Sequence, residues 1–259
     1  MSTGPSPLVL AYHGVARIPF DRDRFRLFVH PDQVVRDLRW LRRRGYDLVT
    51  CGTLADRLAD GGPEGARGLA ALSFDDGLAD NATTLLPLLQ HHDAPATVFV
   101  VSGWLGGRHA DEPHAPILDA DGVRCLHAGG VEIGAHGVHH QHLADLGTAG
   151  VAAELEQSRR QLESVIDAPV RTAAYPFGEA DADVAAAMAT SGLCSAWRTS
   201  GLGSWSSPFD LPRQAMGHGS SVLGLHLKQR DRYEAAMRLP WATSVRRFSR
   251  RRHAARSSP

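Results

Sequence analysis

The sequence predicts an α/β protein, a parallel (β/α) barrel in a single domain. Three observations predict it. Short apolar runs alternate with helix-period segments about seven times, the pattern of parallel strands joined by right-handed crossovers. That many units in a chain of 259 residues close a barrel more readily than they fill an open sheet. No repeat or internal linker divides the chain, so residues 1–245 read as the barrel and 246–259 as a tail.

The elements follow in order. Leu8 to Tyr12 is an apolar run of β character. Pro31 to Arg44 reads as a helix: Val34, Leu38 and Leu41 recur at i, i+4 and i+7, and Gly45 stops it. Tyr46 to Thr50 reads as a strand, and Thr53 to Asp60 as a short helix closed by Gly61-Gly62. Leu69 to Phe74 is a strand, followed by a helix from about Asn81 to His91. Ala96 to Val101 is a continuous apolar strand, of the kind buried on both faces. Gly103 to Asp121 has no period and reads as a long loop, which in a compact domain is often functional. Val131 to Ala135 is a strand. In the next helix Val151, Leu155, Ser158, Leu162 and Val165 share a face, with Thr148 as expected N-cap. Arg171 to Tyr175 is a strand, Asp183 to Thr190 a helix, Leu193 to Trp197 a strand, and Ser220 to Arg238 a helix.

Composition narrows the function. Apolar residues make up 43% and charged residues 22%, an ordinary globular balance. Net charge is zero, so no global basic field marks a nucleic-acid partner. Cys51, Cys125 and Cys194 are odd in number and far apart, which argues against a disulfide framework or a structural zinc knuckle. The start of the chain lacks a basic n-region, and no apolar run approaches a bilayer's thickness. The expected location is therefore the cytoplasm. Arginines 246, 247, 250, 251, 252 and 256 stand in the tail; the expectation is a disordered segment with, at most, weak contact to an anionic membrane surface.

In a parallel barrel, chemistry gathers where strands end. The strand ends here are followed by His13, by Asp75-Asp76-Gly77, by His136 with His139, His140 and His142, and by Pro176-Phe177-Gly178. If the strands are parallel, these residues share one rim. Neighbouring carboxylates do not readily ionise together without a cation. A metal ion would remove that repulsion for one and leave the other as a base. Four imidazoles within seven residues point to metal ligation. Imidazole suits zinc, iron, cobalt and nickel, and one Asp with two His leaves coordination positions open. His136 and His140 are the expected pair, brought together by one helical turn, with His139 pointing away.

These residues resemble the polysaccharide deacetylases of carbohydrate esterase family four, the NodB-type or chitin-deacetylase-like domain. The first family motif reads Ser73-Phe74-Asp75-Asp76-Gly77, followed by Asp80-Asn81. The second reads Gly134-Ala135-His136-Gly137-Val138-His139-His140, and the third Ala174-Tyr175-Pro176-Phe177-Gly178. The resemblance covers Leu8 to about Arg213. It implies a distorted (β/α) barrel with about seven strands. It implies a metal-dependent hydrolase that removes N-acetyl, or O-acetyl, groups from an amino-sugar glycan or a lipid- or nucleotide-linked precursor. Asp75 would be the general base; Asp76, His136 and His140 would hold a divalent metal, zinc first, with cobalt or nickel as alternatives. The Phe177 N–H would help stabilise the oxyanion, with Tyr175 beside it.

The sequence departs from the family pattern twice. The Arg that opens the third motif and braces the catalytic Asp is Ala174 here, and Arg213 is the candidate to reach that carboxylate from another loop. The last motif, L-x-H near the C-terminus, supplies the general acid, and no intact copy stands in that region. His226 is the nearest match, and His13, on the first strand, is the better candidate. Trp104 and Trp205 are candidates to stack on a sugar. Two other readings fit the same barrel: an amidase opening a small cyclic amide, and a glycan-binding barrel that has lost catalysis.

Overall fold

The computed structural model describes residues 4–19, 22–112, 114–199, 204–217, 220 and 224–226. Its strands are β1 (Leu8–Tyr12), β2 (Gly14–Val15), β3 (Phe28–Val29), β4 (Asp47–Val49), β5 (Leu69–Phe74), β6 (Thr97–Val100), β7 (Glu132–Ala135), β8 (Thr172–Ala174), β9 (Ser195–Trp197) and β10 (Gln214–Ala215). Its α-helices are α1 (Pro31–Arg43), α2 (Cys51–Gly65), α3 (Leu86–His91), α4 (Ala120–Ala128), α5 (Gly147–Ile166) and α6 (Ala182–Met188). Seven strands run in the order β10-β1-β5-β6-β7-β8-β9, and β4 joins β5. Every pairing is parallel. This is the barrel the sequence predicts, and parallel pairing brings the strand ends to one rim.

The sheet curls back on itself through the segment Leu211–Ala215. Leu211 bridges Trp197 of β9, and its N–H donates to the Ala196 carbonyl at 3.1 Å. Two residues later Gln214 and Ala215 pair with Leu10 and Ala11 of β1. Nothing in the apolar pattern marks Leu211–Ala215 as a strand, because its pairing is made with distant elements.

Side chains alternate across each strand. Val9, Ala71, Phe99, Ala174, Trp197 and Leu211 therefore meet in one buried cluster, and Cys51, Leu54 and Leu58 of α2 pack into it. Each fully buried Leu or Phe contributes about 1.5–3 kcal/mol. The same period of two carries β5 from Ala71 through Ser73 to Asp75, all buried, and the closing segment from Leu211 to Arg213. The strands thus pass from apolar to charged at the same end.

Helix α1 starts at Pro31, where a missing N–H costs nothing, and the His30 ring accepts the Asp32 N–H at 3.2 Å. Helix α2 runs past the predicted Asp60 and kinks at Gly62-Pro63, where Gly62 has φ 59°. The predicted 81–91 helix opens with a π turn over Asn81–Leu85 before α3. Helix α4 starts at the end of the 103–121 loop and runs through residues to which no element is assigned from sequence; only Val123 and Leu126 of it are buried. The N-cap of α5 is not Thr148: the helix begins at Gly147 after Leu146, with no side-chain cap.

The barrel unit spans Met1–Gly219, and a second compact unit begins at Ser220. Gly224–His226 is helical, within the helix expected from Ser220. The boundary at 245 and the Arg-rich tail lie outside the described residues. Among the described residues, no helix is long and apolar enough to cross a membrane.

Candidate active site

Asp75 and Asp76 follow β5. The Asp75 N–H donates to the Tyr12 carbonyl at 2.9 Å, which keeps Asp75 in strand register. Asp76 then turns at φ 71°, a conformation uncommon for a non-glycine residue. Adjacent carboxylates are thereby sent into different surroundings.

Asp75 meets Arg213. Both guanidinium nitrogens donate to it, at 2.6 and 2.9 Å. Arg213 also donates to the Ser73 and Thr199 hydroxyls and the Arg198 carbonyl, and lies 5.1 Å over the Phe99 ring. It is 0% exposed. Burial pushes the Asp75 pKa up, but the Arg213 charge, His136, the Arg213 hydrogen bonds and His13 together pull it below the ordinary carboxylate value. Arg213 thus reaches the carboxylate from the closing segment, while Ala174 is buried in the core.

Asp76 meets imidazoles. Its Oδ1 lies 3.5 Å from Nε2 of both His136 and His140, and its Oδ2 lies 3.2 Å from Nε2 of His109 and 3.9 Å from Nε2 of His13. Burial pushes its pKa up, and His13, the His109 hydrogen bond, His136 and His140 outweigh that and hold it ionised. Oδ1 is buried with no hydrogen-bond partner, an arrangement that costs about 1–3 kcal/mol or more for a charged group left as it is.

Asp76, His136 and His140 offer ligand atoms that all lie within 4.8 Å of one another. The orphaned Oδ1 is one such atom. The His136 Nδ1 lies 2.9 Å from the Ala174 carbonyl, so its N–H points there and Nε2 keeps a free lone pair, the orientation usual for a metal-ligating His. Burial and the neighbouring His136 lower the His140 pKa to about 4, which leaves that ring an electron-pair donor at neutral pH. The donor set fits a divalent metal with open coordination positions.

The pair is not brought together by a helical turn. Residues 136–140 form a loop, bent at Gly137 (φ 77°) and His140 (φ 54°), and the two rings meet at 5.0 Å. Helix α5 holds this loop. The Glu154 carboxylate accepts the Val138 and His139 N–H groups at 2.8 and 2.6 Å, and the Ser158 hydroxyl donates to the Gly137 carbonyl at 2.9 Å. His139 does point away: its ring is exposed and pairs with Glu154 at 2.9 Å.

His13 stands at the end of β1, with its side chain 30% exposed. Asn81 donates to its carbonyl at 3.2 Å, and the buried Tyr12–Asp37 hydrogen bond of 2.9 Å anchors the residue before it. Phe177 sits at φ 59° with its ring exposed, stacked on His142 at 3.9 Å and tilted against His140 at 4.6 Å. Among the described residues its N–H makes no backbone hydrogen bond.

Tyr175 departs from expectation. It is 0% exposed, its hydroxyl donates to the Phe209 carbonyl at 2.7 Å, and its N–H is taken by the Trp197 carbonyl at 3.1 Å. It therefore has no group to offer a substrate or oxyanion and acts as a strut. Arg213, buried on Asp75, likewise faces no substrate. Trp104 packs against the His109 and His140 rings at 5.0 and 5.1 Å, and Trp205 packs against the apolar cluster. His226 belongs to the second unit. His109, absent from the sequence expectations, comes from the 103–121 loop; its position in that long loop was the one signal in the sequence.

The polysaccharide deacetylase family model matches residues 63–195. A Bacillus subtilis protein, YxkH, whose name assigns it to the polysaccharide deacetylases, is 22% identical over 141 residues, which cover 54% of this chain and 48% of YxkH. The chain therefore spans about half the length of that relative. In solved structures, the fold is similar to the deacetylase PplD of Streptococcus pyogenes, with TM-score 0.74, 20% identity, and coverage of 88% of this chain and 99% of PplD. It is also similar to the de-N-acetylase of Aggregatibacter actinomycetemcomitans, with TM-score 0.73, 19% identity, and coverage of 86% and 99%. IcaB of Ammonifex degensii gives TM-score 0.71 and 19% identity over 89% of this chain and 98% of IcaB. With the family motifs lying at the strand ends of the same barrel, this chain belongs to the polysaccharide deacetylase family.

Proposed function

We propose that the chain is a metal-dependent hydrolase that removes N-acetyl groups from an amino-sugar glycan or glycan precursor. The observation that carries this reading is the division of labour between adjacent carboxylates. Asp75 is clamped on both oxygens by Arg213, whereas Asp76 keeps a bare Oδ1 between His136 and His140.

Asp76, His136 and His140 would hold the divalent cation, zinc, cobalt or nickel by donor type. Bound there, it would supply a Lewis acid and lower the pKa of water. Asp75 accepts the proton of the attacking water, and Arg213 fixes the carboxylate while that proton arrives. The Phe177 N–H donates to the oxyanion as the carbonyl carbon becomes tetrahedral. His13 donates a proton to the amide nitrogen as the carbon–nitrogen bond breaks, which gives acetate and a free amine. General acid–base groups of this kind contribute about 10²–10⁴-fold each.

The names of the relatives support an acetylated substrate: one similar structure is a de-N-acetylase, and PplD was solved with acetate. The test is acetate release from N-acetylated glycans, sugar nucleotides and lipid-linked sugars, by metal-stripped protein and after zinc, cobalt or nickel is restored. Metal-dependent release from one class supports the proposal and names its substrate. Silence across the panel with metal bound shifts the reading to a small cyclic amide, and silence without metal binding shifts it to a binding barrel.

A further inference from the structure

Four imidazoles surround Asp76, and one of them is wired differently from the others. The Nδ1 of His109 accepts two backbone N–H groups, from Asp111 at 3.1 Å and from Glu112 at 3.2 Å. A ring nitrogen that accepts carries no proton, so the hydrogen-bond partners place the ring proton on Nε2. That Nε2 lies 3.2 Å from Asp76 Oδ2. His109 is therefore a donor to the carboxylate and has no lone pair there for a cation. His136 has the reverse arrangement, with Nδ1 on a carbonyl and Nε2 bare.

The donor is held firmly. His109 is 5% exposed, its N–H donates to the Ala115 carbonyl at 3.0 Å, and its ring packs edge-on to Trp104 at 5.0 Å. Its bond occupies Oδ2 and leaves Oδ1 as the oxygen without a partner.

We propose that His109 is a positioning residue for the metal centre: by donating Nε2–H to Oδ2, it fixes Asp76 so that a single oxygen, Oδ1, faces the cation. The proposal rests on the reading of Asp76, His136 and His140 as ligands. It gives the 103–121 loop a defined task, since the hydrogen bonds of that loop set the orientation of a ligand that follows β5.

The test compares full-length protein with His109→Gln, which keeps an N–H donor near the Nε2 position, and with His109→Phe, which keeps a packing ring and removes both nitrogens. Zinc affinity is measured by chelator competition, and cobalt-loaded protein by its visible absorption. Loss of such an outer partner typically weakens metal binding about 10–100-fold. His109→Phe is expected to lose that much affinity, still bind one equivalent, and show an altered cobalt spectrum as Asp76 turns its second oxygen to the ion. His109→Gln is expected to recover most of both. Wild-type affinity and spectrum in a folded His109→Phe would overturn the proposal. So would loss of stoichiometric binding in both variants, since His109 would then be a ligand. Nitrogen NMR of the unsubstituted protein gives a readout that needs no variant: the proton is expected on Nε2 before and after zinc, and a proton on Nδ1 contradicts the proposal. Failure of wild-type protein to bind any metal would count against the metal centre itself, a separate outcome.

Discussion

Strand β7 has a carboxylate near each end, half-buried Glu132 at one and fully buried Asp76 at the other. At its start, Glu132 Oε2 accepts the Thr97 hydroxyl at 2.6 Å and the Gly52 N–H at 2.9 Å. At its finish, His136 faces Asp76, whose Oδ1 accepts nothing. Burial raises the Glu132 pKa, only partly countered by those donors, while the imidazoles outweigh burial at Asp76. The difference separates two ways of surrounding a carboxylate. Glu132 is supplied with neutral donors and ties α2 to β6 and β7. Asp76 receives an N–H from His109 on Oδ2 but has the electron-pair donors His136 and His140 beside its bare Oδ1, an arrangement that becomes favourable when a cation is added.

The comparison breaks most visibly at the ligands. Asp76→Ala and His136→Ala are each expected to abolish stoichiometric zinc binding and acetate release together. Metal content by mass spectrometry of desalted protein checks this, and full zinc content in His136→Ala would sink the ligand assignment.

Arg213→Met comes next. It leaves the Asp75 charge buried without its partner, which typically costs about 3–5 kcal/mol. Denaturant unfolding should show that loss, and turnover should fall with it. Unchanged stability would mean that Asp75 finds another partner. At the other end of β7, Glu132→Gln keeps an acceptor for Thr97 and Gly52. Its expected stability change is within about 1 kcal/mol, with zinc affinity unchanged; a large loss of affinity would erase the contrast between the two ends.

A separate expected effect depends on pH and lies outside the metal centre. Asp80 accepts the Val15 N–H, and burial raises its pKa from 3.8 to about 6. Between those values the unfolded chain has released a proton that the folded protein still holds. Stability associated with Asp80 is therefore present below pH 3.8 and is lost as pH rises to about 6. Asp80→Asn has no such proton to release, so its melting temperature relative to wild type should climb across that window and then level off. A constant difference from pH 4 to 7 would contradict the raised pKa.

How much of this was legible beforehand follows from where each signal resides. Strands β1 and β5 have the predicted bounds because their residues are buried as continuous runs. Asp75, Asp76, His136 and His140 were legible because parallel strand ends share a rim, and Arg213 because Ala174 left a vacancy in the motif. His109 was not, since its partner lies 33 residues away and no periodicity governs its loop. The helical turn expected over 136–140 failed because the carboxylate and hydroxyl of α5 hold a doubly bent loop instead. Tyr175 sat in the right motif, but its partner, the Phe209 carbonyl, is supplied by a tertiary contact.

The central claim is that neighbouring carboxylates have separate duties, one holding metal and the other moving a proton. Asp75→Asn tests it most directly, with zinc stoichiometry and acetate release measured on the same sample. The account predicts one zinc bound and turnover reduced about 10²–10⁴-fold. Turnover near wild type, or loss of the zinc along with the activity, would contradict it.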